Sequence, residues 1–237
     1  MARLSVNLNK IALIRNSRGA NLPDLVKVAL DCEEFGAEGI TIHPRPDERH
    51  AKFSDIPILK NAIKTELNIE GYPSRQFIDA VLLHKPEQVT LVPDPPGALT
   101  SDTGWDTKKH QIFLTEIVSE LKKSDIRTSL FLNPDIDLVS YAAKIGTDRI
   151  ELYTGPYSWN YADNRSNAIE EYRTAAEVAS EFGLGINAGH DLNLENLLYF
   201  NQTIKGLLEV SIGHALICDS IYFGLKNTIQ MYLQRLK

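Results

Sequence analysis

Eight short apolar runs recur along this chain, separated by longer amphipathic stretches and by no Pro/Gly/Ser-rich linker. The runs are Leu4–Leu8, Gly39–His43, Asn68–Gly71, Gln88–Val92, Thr128–Leu132, Arg149–Tyr153, Gly185–Asn187 and Glu209–Ile212. Strands that alternate with helical patterns point to βα units on a parallel sheet. Eight such units in 237 residues match the size of a (β/α)8 TIM barrel, about 250 residues. The expectation is one α/β barrel domain over residues 1–237, with additional helices. A doubly wound open sheet suits fewer strands, and no Gly-rich dinucleotide fingerprint is present.

The stretches between the runs carry helical spacing. Leu25, Val28, Ala29 and Cys32 fall at i, i+3, i+4, i+7 on one face. Ile112, Phe113, Ile117 and Leu121 are likewise read as one apolar helical side, with Glu116, Glu120, Lys122 and Lys123 on the other. A long helix is predicted over Ala168 to Phe182 and a closing helix over Ile221 to Leu236. Ser54, Asp135, Asp163 and Asn193 are predicted N-caps, since their side-chain oxygens can accept from free first-turn amides. Gly36, Gly146 and Gly183 are predicted to end helices in the left-handed conformation. The segment with Tyr157, Trp159 and Tyr161 reads as a packed surface loop.

The net charge of −6 argues against a general nucleic-acid binder, which presents a basic face. An anionic substrate must therefore be caught by local arginines and backbone amides. Cys32 and Cys218 form neither a metal-type pair nor a disulfide framework. No run of about 18 apolar residues marks a membrane span, and MARLSVNLNK has no secretory h-region. A cytoplasmic protein is expected.

In such a barrel, chemistry sits at the C-terminal ends of the strands. GITIHPRPDERH, residues 39–50, is a buried strand that stops at His43-Pro44 and runs into Arg45, Asp47, Glu48, Arg49 and His50. The other strand ends are similarly polar. They offer Asn7, Asn9 and Lys10, followed by Arg15, Asn16 and Arg18; Glu70; Thr100, Ser101 and Thr103; Asn133; Glu151; Asn187-Ala188-Gly189-His190; and Gly213-His214. Four of the six histidines (His43, His50, His190, His214) lie at these ends, while His84 and His110 do not. Glu70 and Glu151 are acids inside apolar strands. Burial would raise their pKa values and make them candidate acid/base groups. NAGHDL (187–192) and SIGHAL (211–216) each place Gly-His before a helical segment, where barrels commonly hold a phosphate; Arg18 or Arg45 could supply the charge.

Together, VNLNKIALIRNSRG (6–19), GITIHPRPDERH, the strand with Glu70, LVP followed by Thr100, IELYTG (150–155), GLGINAGHDL (183–192) and SIGHALI (211–217) resemble the pyridoxine 5′-phosphate synthase family. The match spans nearly the whole chain. Each motif is weak alone; their order and spacing are specific. The resemblance implies a (β/α)8 barrel with added helices, assembled as a homo-octamer built from dimers. It implies a transferase-class synthase that joins two small phosphorylated substrates, 1-deoxy-D-xylulose 5-phosphate and 3-amino-2-oxopropyl phosphate, releasing inorganic phosphate and water. No redox cofactor, metal, nucleic acid or membrane partner is implied.

Carried over by position, the resemblance makes His43 and Glu70 proton acceptors, His190 the proton donor and Glu151 a polar stabiliser. Asn7, Arg18, Asp191, Gly213 and His214 would hold the aminoketone phosphate. Asn9, Lys10, Arg45, His50 and Thr100 would hold the deoxyxylulose phosphate. Two positions depart from the commonest family pattern. Asn9-Lys10 stands where Asp-His is usual, and Asp191 where Gly is common; a carboxylate there would repel a phosphate unless turned away. The residues 94–106, with two prolines and two glycines, are expected to close over the barrel mouth.

Two other readings stay open on the residues alone. One is a metal-dependent sugar-phosphate aldolase or isomerase with His43, Glu70 and His190 as ligands, although no local motif such as HExxH is present. The other is a non-catalytic sugar-phosphate-binding barrel.

Overall fold

The computed structural model describes residues 1–94 and 101–237. Among these, eight parallel strands close into a barrel in chain order. They are β1 (Arg3–Asn7), β2 (Gly39–Ile42), β3 (Glu66–Gly71), β4 (Gln88–Leu91), β5 (Arg127–Leu132), β6 (Arg149–Tyr153), β7 (Gly185–Gly189) and β8 (Leu207–Ile212). Pairing of β1 with both β2 and β8 shuts the ring. The helices are α1 (Asn9–Asn16), α2 (Leu25–Glu34), α3 (Asp55–Ala62), α4 (Arg75–His84), α5 (Gln111–Lys122), α6 (Ile136–Ile145), α7 (Gly155–Ala168), α8 (Glu170–Glu181), α9 (Leu197–Thr203), α10 (His214–Phe223) and α11 (Leu225–Arg235). The expected (β/α)8 architecture is present, with each strand read to within two residues at either end.

The strands alternate in a way that fixes the site. Leu4, Val6, Ile40, Ile42, Leu67, Ile69, Ile150 and Leu152 are fully buried in the apolar core. The positions between them point into the barrel and are polar. The hydroxyls of Ser5 and Thr41 lie 2.7 Å apart. The Thr90 hydroxyl lies 3.1 Å from Asn68 Oδ1 and 3.3 Å from Glu151 Oε2 on β6. Nearer the strand N-termini, Gln88 Nε2 reaches Glu209 across the barrel at 3.4 Å, and Arg3 pairs with Glu66 at 2.7 Å. Strands buried on both faces usually read as continuous aliphatic runs. Here the period of two survives because the inner face is a polar stack, and its top layer carries the chemistry.

Helix ends follow local rules. Asp24, Ser74 and Asp135 accept first-turn amides as N-caps. Gly36, Gly146 and Gly183 take positive φ as expected. Several expectations need correction. Ser54 precedes α3 but makes no side-chain cap bond. Asn193 Oδ1 accepts from Glu195 and Asn196 in a turn just before α9. The expected loop with Tyr157, Trp159 and Tyr161 is helix α7, with a proline in its first turn and Asp163 inside it. The break lies one residue later, at Asn164, which leaves helical geometry while its side chain accepts from Asn167 N–H at 3.1 Å. Finally, the closing helix is two helices, split at Gly224 with φ of 74°; α8 begins at Glu170.

Candidate active site

The C-terminal rim of the barrel gathers the inward-pointing residues that end β1, β2, β3, β6, β7 and β8. His43 is buried one residue past β2. Its backbone N–H donates to Asn9 Oδ1 at 2.9 Å. Asn9 N–H in turn donates to Asn7 Oδ1 at 3.0 Å, and Asn7 Nδ2 donates to Glu70 Oε2 at 3.3 Å. One relay of short amide side chains thus ties the ends of β1, β2 and β3 together. It also explains the first departure from the family pattern: the position held by Asn9 needs an acceptor for the His43 amide, and Asn supplies one as well as Asp does.

His43 Nδ1 stands 3.8 Å from Glu70 Oε2. Burial, followed by the Arg45 charge, pushes the His43 imidazole well below its usual range. Burial, followed by the Asp94 carboxylate, pushes the Glu70 carboxyl up to about 8. Glu151 is buried beneath Gly189, and its carboxyl is held well above the usual range by burial and then by Glu70. Any Cβ at Gly189 would collide with Glu151 Oε1, so the glycine is required by the carboxyl packed against it. At neutral pH the resting site therefore holds an unprotonated imidazole beside two protonated acids.

Arg45 is buried and ion-paired with Asp94, whose Oδ2 also accepts from the Ser101 hydroxyl at 2.6 Å. Arg45 Nε and His50 Nδ1 are buried nitrogens without a hydrogen-bond partner among the described residues. The His50 ring stands 6.1 Å from that of His43. Burial, then Arg45, lowers its pKa to about 4, with Lys10 adding to the effect. The loop carrying His50 is fixed from α1. Arg15 pairs bidentately with Asp55 at 2.7 and 2.9 Å, and Asn16 Nδ2 donates to the His50 carbonyl at 2.7 Å.

On the opposite arc of the rim, His190 and Asp191 follow β7 with φ of 82° and 58°. His190 Nδ1 lies 2.9 Å from Asp191 Oδ2, and the His190 ring meets Tyr153 edge-on at 5.2 Å. Asp191 is thus turned onto its neighbour. Gly213 packs so closely on Asn7 that a Cβ would lie 3.1 Å from Asn7 Cβ. His214 opens α10 and is exposed.

The structure brings Asn7, Asn9, Lys10, His43, Arg45, His50, Glu70, Glu151, His190, Asp191, Gly213 and His214 to this rim. Arg18 lies on the exposed segment after α1, with no hydrogen bond or ion pair to the rim groups among the described residues. Thr100 falls outside the described residues, as do residues 95–99 of the expected closing loop. Its returning part is anchored: Trp105 Nε1 donates to the Leu91 carbonyl at 3.0 Å and stacks on Tyr72. Sequence reasoning missed Asp94, the partner of Arg45, and Ser211, which hydrogen-bonds Glu70. Asp94 had a signal, standing at the end of β4 just before the prolines. Ser211 had only its place in the period-two pattern.

Comparison with known proteins gives the family. Residues 4–237 match the family model described as pyridoxal phosphate biosynthesis protein PdxJ. A protein of Cytophaga hutchinsonii named pyridoxine 5′-phosphate synthase is 61% identical over 237 residues, covering 100% of both chains. One of the same name from Flavobacterium johnsoniae is 56% identical, also over 100% of both. A solved phosphoribosylanthranilate isomerase of Thermotoga maritima shares the barrel at a TM-score of 0.63 and 14% identity, covering 100% of this chain and 98% of its own. The last comparison concerns the fold alone. With the family model spanning all but the first three residues, and relatives of more than half identity matching end to end, this chain belongs to the PdxJ family of pyridoxal phosphate biosynthesis proteins.

Proposed function

We propose that this protein is a pyridoxine 5′-phosphate synthase, joining 1-deoxy-D-xylulose 5-phosphate to 3-amino-2-oxopropyl phosphate with release of phosphate and water. The carrying observation is the inverted protonation of His43 and Glu70, a ready base 3.8 Å from a ready acid. The amine of one substrate adds to the carbonyl of the other and loses water, which calls for an acid and a base in turn. A proton then leaves carbon as phosphate is eliminated, and a second closure with dehydration completes the ring. In this reading His43 takes the first proton. Glu70 gives one up early and accepts one later, and His190 donates to a leaving oxygen. Glu151 stays neutral and offers a hydrogen bond beneath the reacting atoms.

Two anion sites complete the reading. Arg45 and His50, with Asn9, Lys10 and Thr100, take the sugar phosphate. The unsatisfied Arg45 Nε and His50 Nδ1 support this, because buried nitrogens without partners are costly unless a ligand meets them. Asn7, Gly213 and His214, with Arg18 and the Asp191 backbone amide, take the aminoketone phosphate. The free amides at the start of α10 favour an anion there, and Gly213 packs directly on Asn7, which sets that residue beside them. The whole barrel, residues 1–237, acts as one domain. Octamers built from dimers belong to the same proposal, supported by the exposed Ile221, Tyr222 and Phe223 at the end of α10; sedimentation checks it. No described helix is long and apolar enough to cross a membrane, and we place the protein in the cytoplasm.

The test is direct. The protein is mixed with both phosphates, and pyridoxine 5′-phosphate and released phosphate are measured. Binding of either substrate without product would defeat the proposal, and loss of activity to a chelator, restored by metal, would favour an aldolase-like chemistry instead.

A further inference from the structure

The backbone at His190 and Asp191 takes two consecutive left-handed conformations. Side chains pay about 1–2 kcal/mol per residue for this region, and glycine does not. At position 191 a glycine would relax the turn, yet a carboxylate stands there. That carboxylate is not what holds the turn. The Thr154 hydroxyl donates to the carbonyls of Gly189 and His190, and Asn196 Nδ2 donates to the Asp191 carbonyl at 3.3 Å. Instead, Asp191 Oδ2 lies 2.9 Å from His190 Nδ1, and contact with the His190 ring holds the Asp191 carboxyl below the usual carboxylate range.

We infer that Asp191 is a positioning residue acting through His190. Its carboxylate holds the imidazole by Nδ1, fixes the orientation of the ring at the rim and sets a negative charge beside it. This rests on the reading of His190 as the donor. It also turns the Asp191 carboxylate away from the phosphate it would repel. Other groups face the pair. From β6 come Tyr153, against the His190 ring, and Glu151 behind Gly189; from α10 comes His214, and from the segment before α5 comes Asp102, which acts on Tyr153.

The test compares the wild type with Asp191→Asn and Asp191→Gly. Imidazole titration of His190 is followed by NMR without substrate, and kcat, KM for each phosphate and the pH–rate profile are measured with both. Loss of the opposite charge should move the His190 titration to lower pH by about one unit. It should also lower kcat about tenfold at the alkaline end of the profile while leaving both KM values within about twofold. Asp191→Gly should give the same kinetic change with a higher melting temperature, because the strain is relieved. An unmoved titration would overturn the inference, as would a change confined to the KM of the aminoketone phosphate. If the titration moves but no variant, wild type included, makes product, the pairing stands and the synthase reading falls.

Discussion

His43 Nδ1 and Glu70 Oε2 stand 3.8 Å apart at the top of the barrel, and the protein drives their proton affinities in opposite directions. The consequence for stability has a definite sign. The Glu70 carboxyl is raised from 4.5 to about 8, so the folded state holds its proton over that window. Its contribution to stability is complete below about pH 4.5 and lost as pH rises through about 8. His43 runs the other way: lowered from 6.5, its contribution is complete above that value and is lost as pH falls. Glu70→Gln should therefore melt progressively higher than wild type as pH rises from 5 to 9. Turnover should meanwhile fall at least about a hundredfold, the usual weight of a general acid or base. Calorimetry across that range, alongside product formation, reads both. Near-normal turnover in Glu70→Gln would remove it from the chemistry.

Asn9 is expected to matter for where it holds His43. Asn9→Asp keeps an oxygen for the His43 amide, so kcat should stay near wild type. Asn9→Ala leaves that amide unpaired at a cost of about 1–3 kcal/mol and lets the strand end shift, and kcat should drop with it. Comparable activity in both variants would show that the 2.9 Å bond has no part in placing the base.

The strands were legible because their outward residues are aliphatic and their approach turns carry glycine. His43, Glu70 and His190 were legible because each interrupts or ends such a run with a titratable group. Asp94 was not, because its partner Arg45 lies 49 residues away and one sequence shows no long-range pairing. Thr90, Asn68 and Ser211 were hidden for another reason. A small polar residue in a strand reads as ordinary β-forming sequence unless the inner face is known to be polar. Helix α7 misread as a loop because Gly155, Pro156, Ser158, Asn160, Asp163 and Asn164 are turn formers. Its helix is held by tertiary packing instead, with Tyr157 buried against Tyr172 and Phe200.

Arg45 is expected to carry geometry as well as charge. Its guanidinium reaches Asp94 through Nη2 while Nε stays unsatisfied, a fork that one ammonium cannot reproduce. Arg45→Lys should raise KM for the sugar phosphate by about tenfold to a hundredfold, the weight of a charged hydrogen bond of about 1.5–3 kcal/mol. The KM for the aminoketone phosphate should move little. Steady-state kinetics with each substrate varied in turn checks the split, and an equal rise in both would place Arg45 outside the sugar-phosphate site.

Arg15 and Asp55 make the buried bidentate pair beneath the loop that carries His50, with Arg15 Nη2 also 3.3 Å from the His50 carbonyl. Removing one partner leaves the other charge buried alone, which typically costs about 3–5 kcal/mol, whereas replacing both with apolar residues of similar volume often costs little. Arg15→Ala should therefore lose stability of that order in urea unfolding, and Arg15→Met with Asp55→Leu much less. The two variants separate stability from placement. If the pair serves only the fold, the double variant regains wild-type kinetics along with its stability. If it also sets His50, the double variant is stable but keeps a raised KM for the sugar phosphate. We expect the second outcome, because neither Met nor Leu can donate to the His50 carbonyl that Arg15 and Asn16 share.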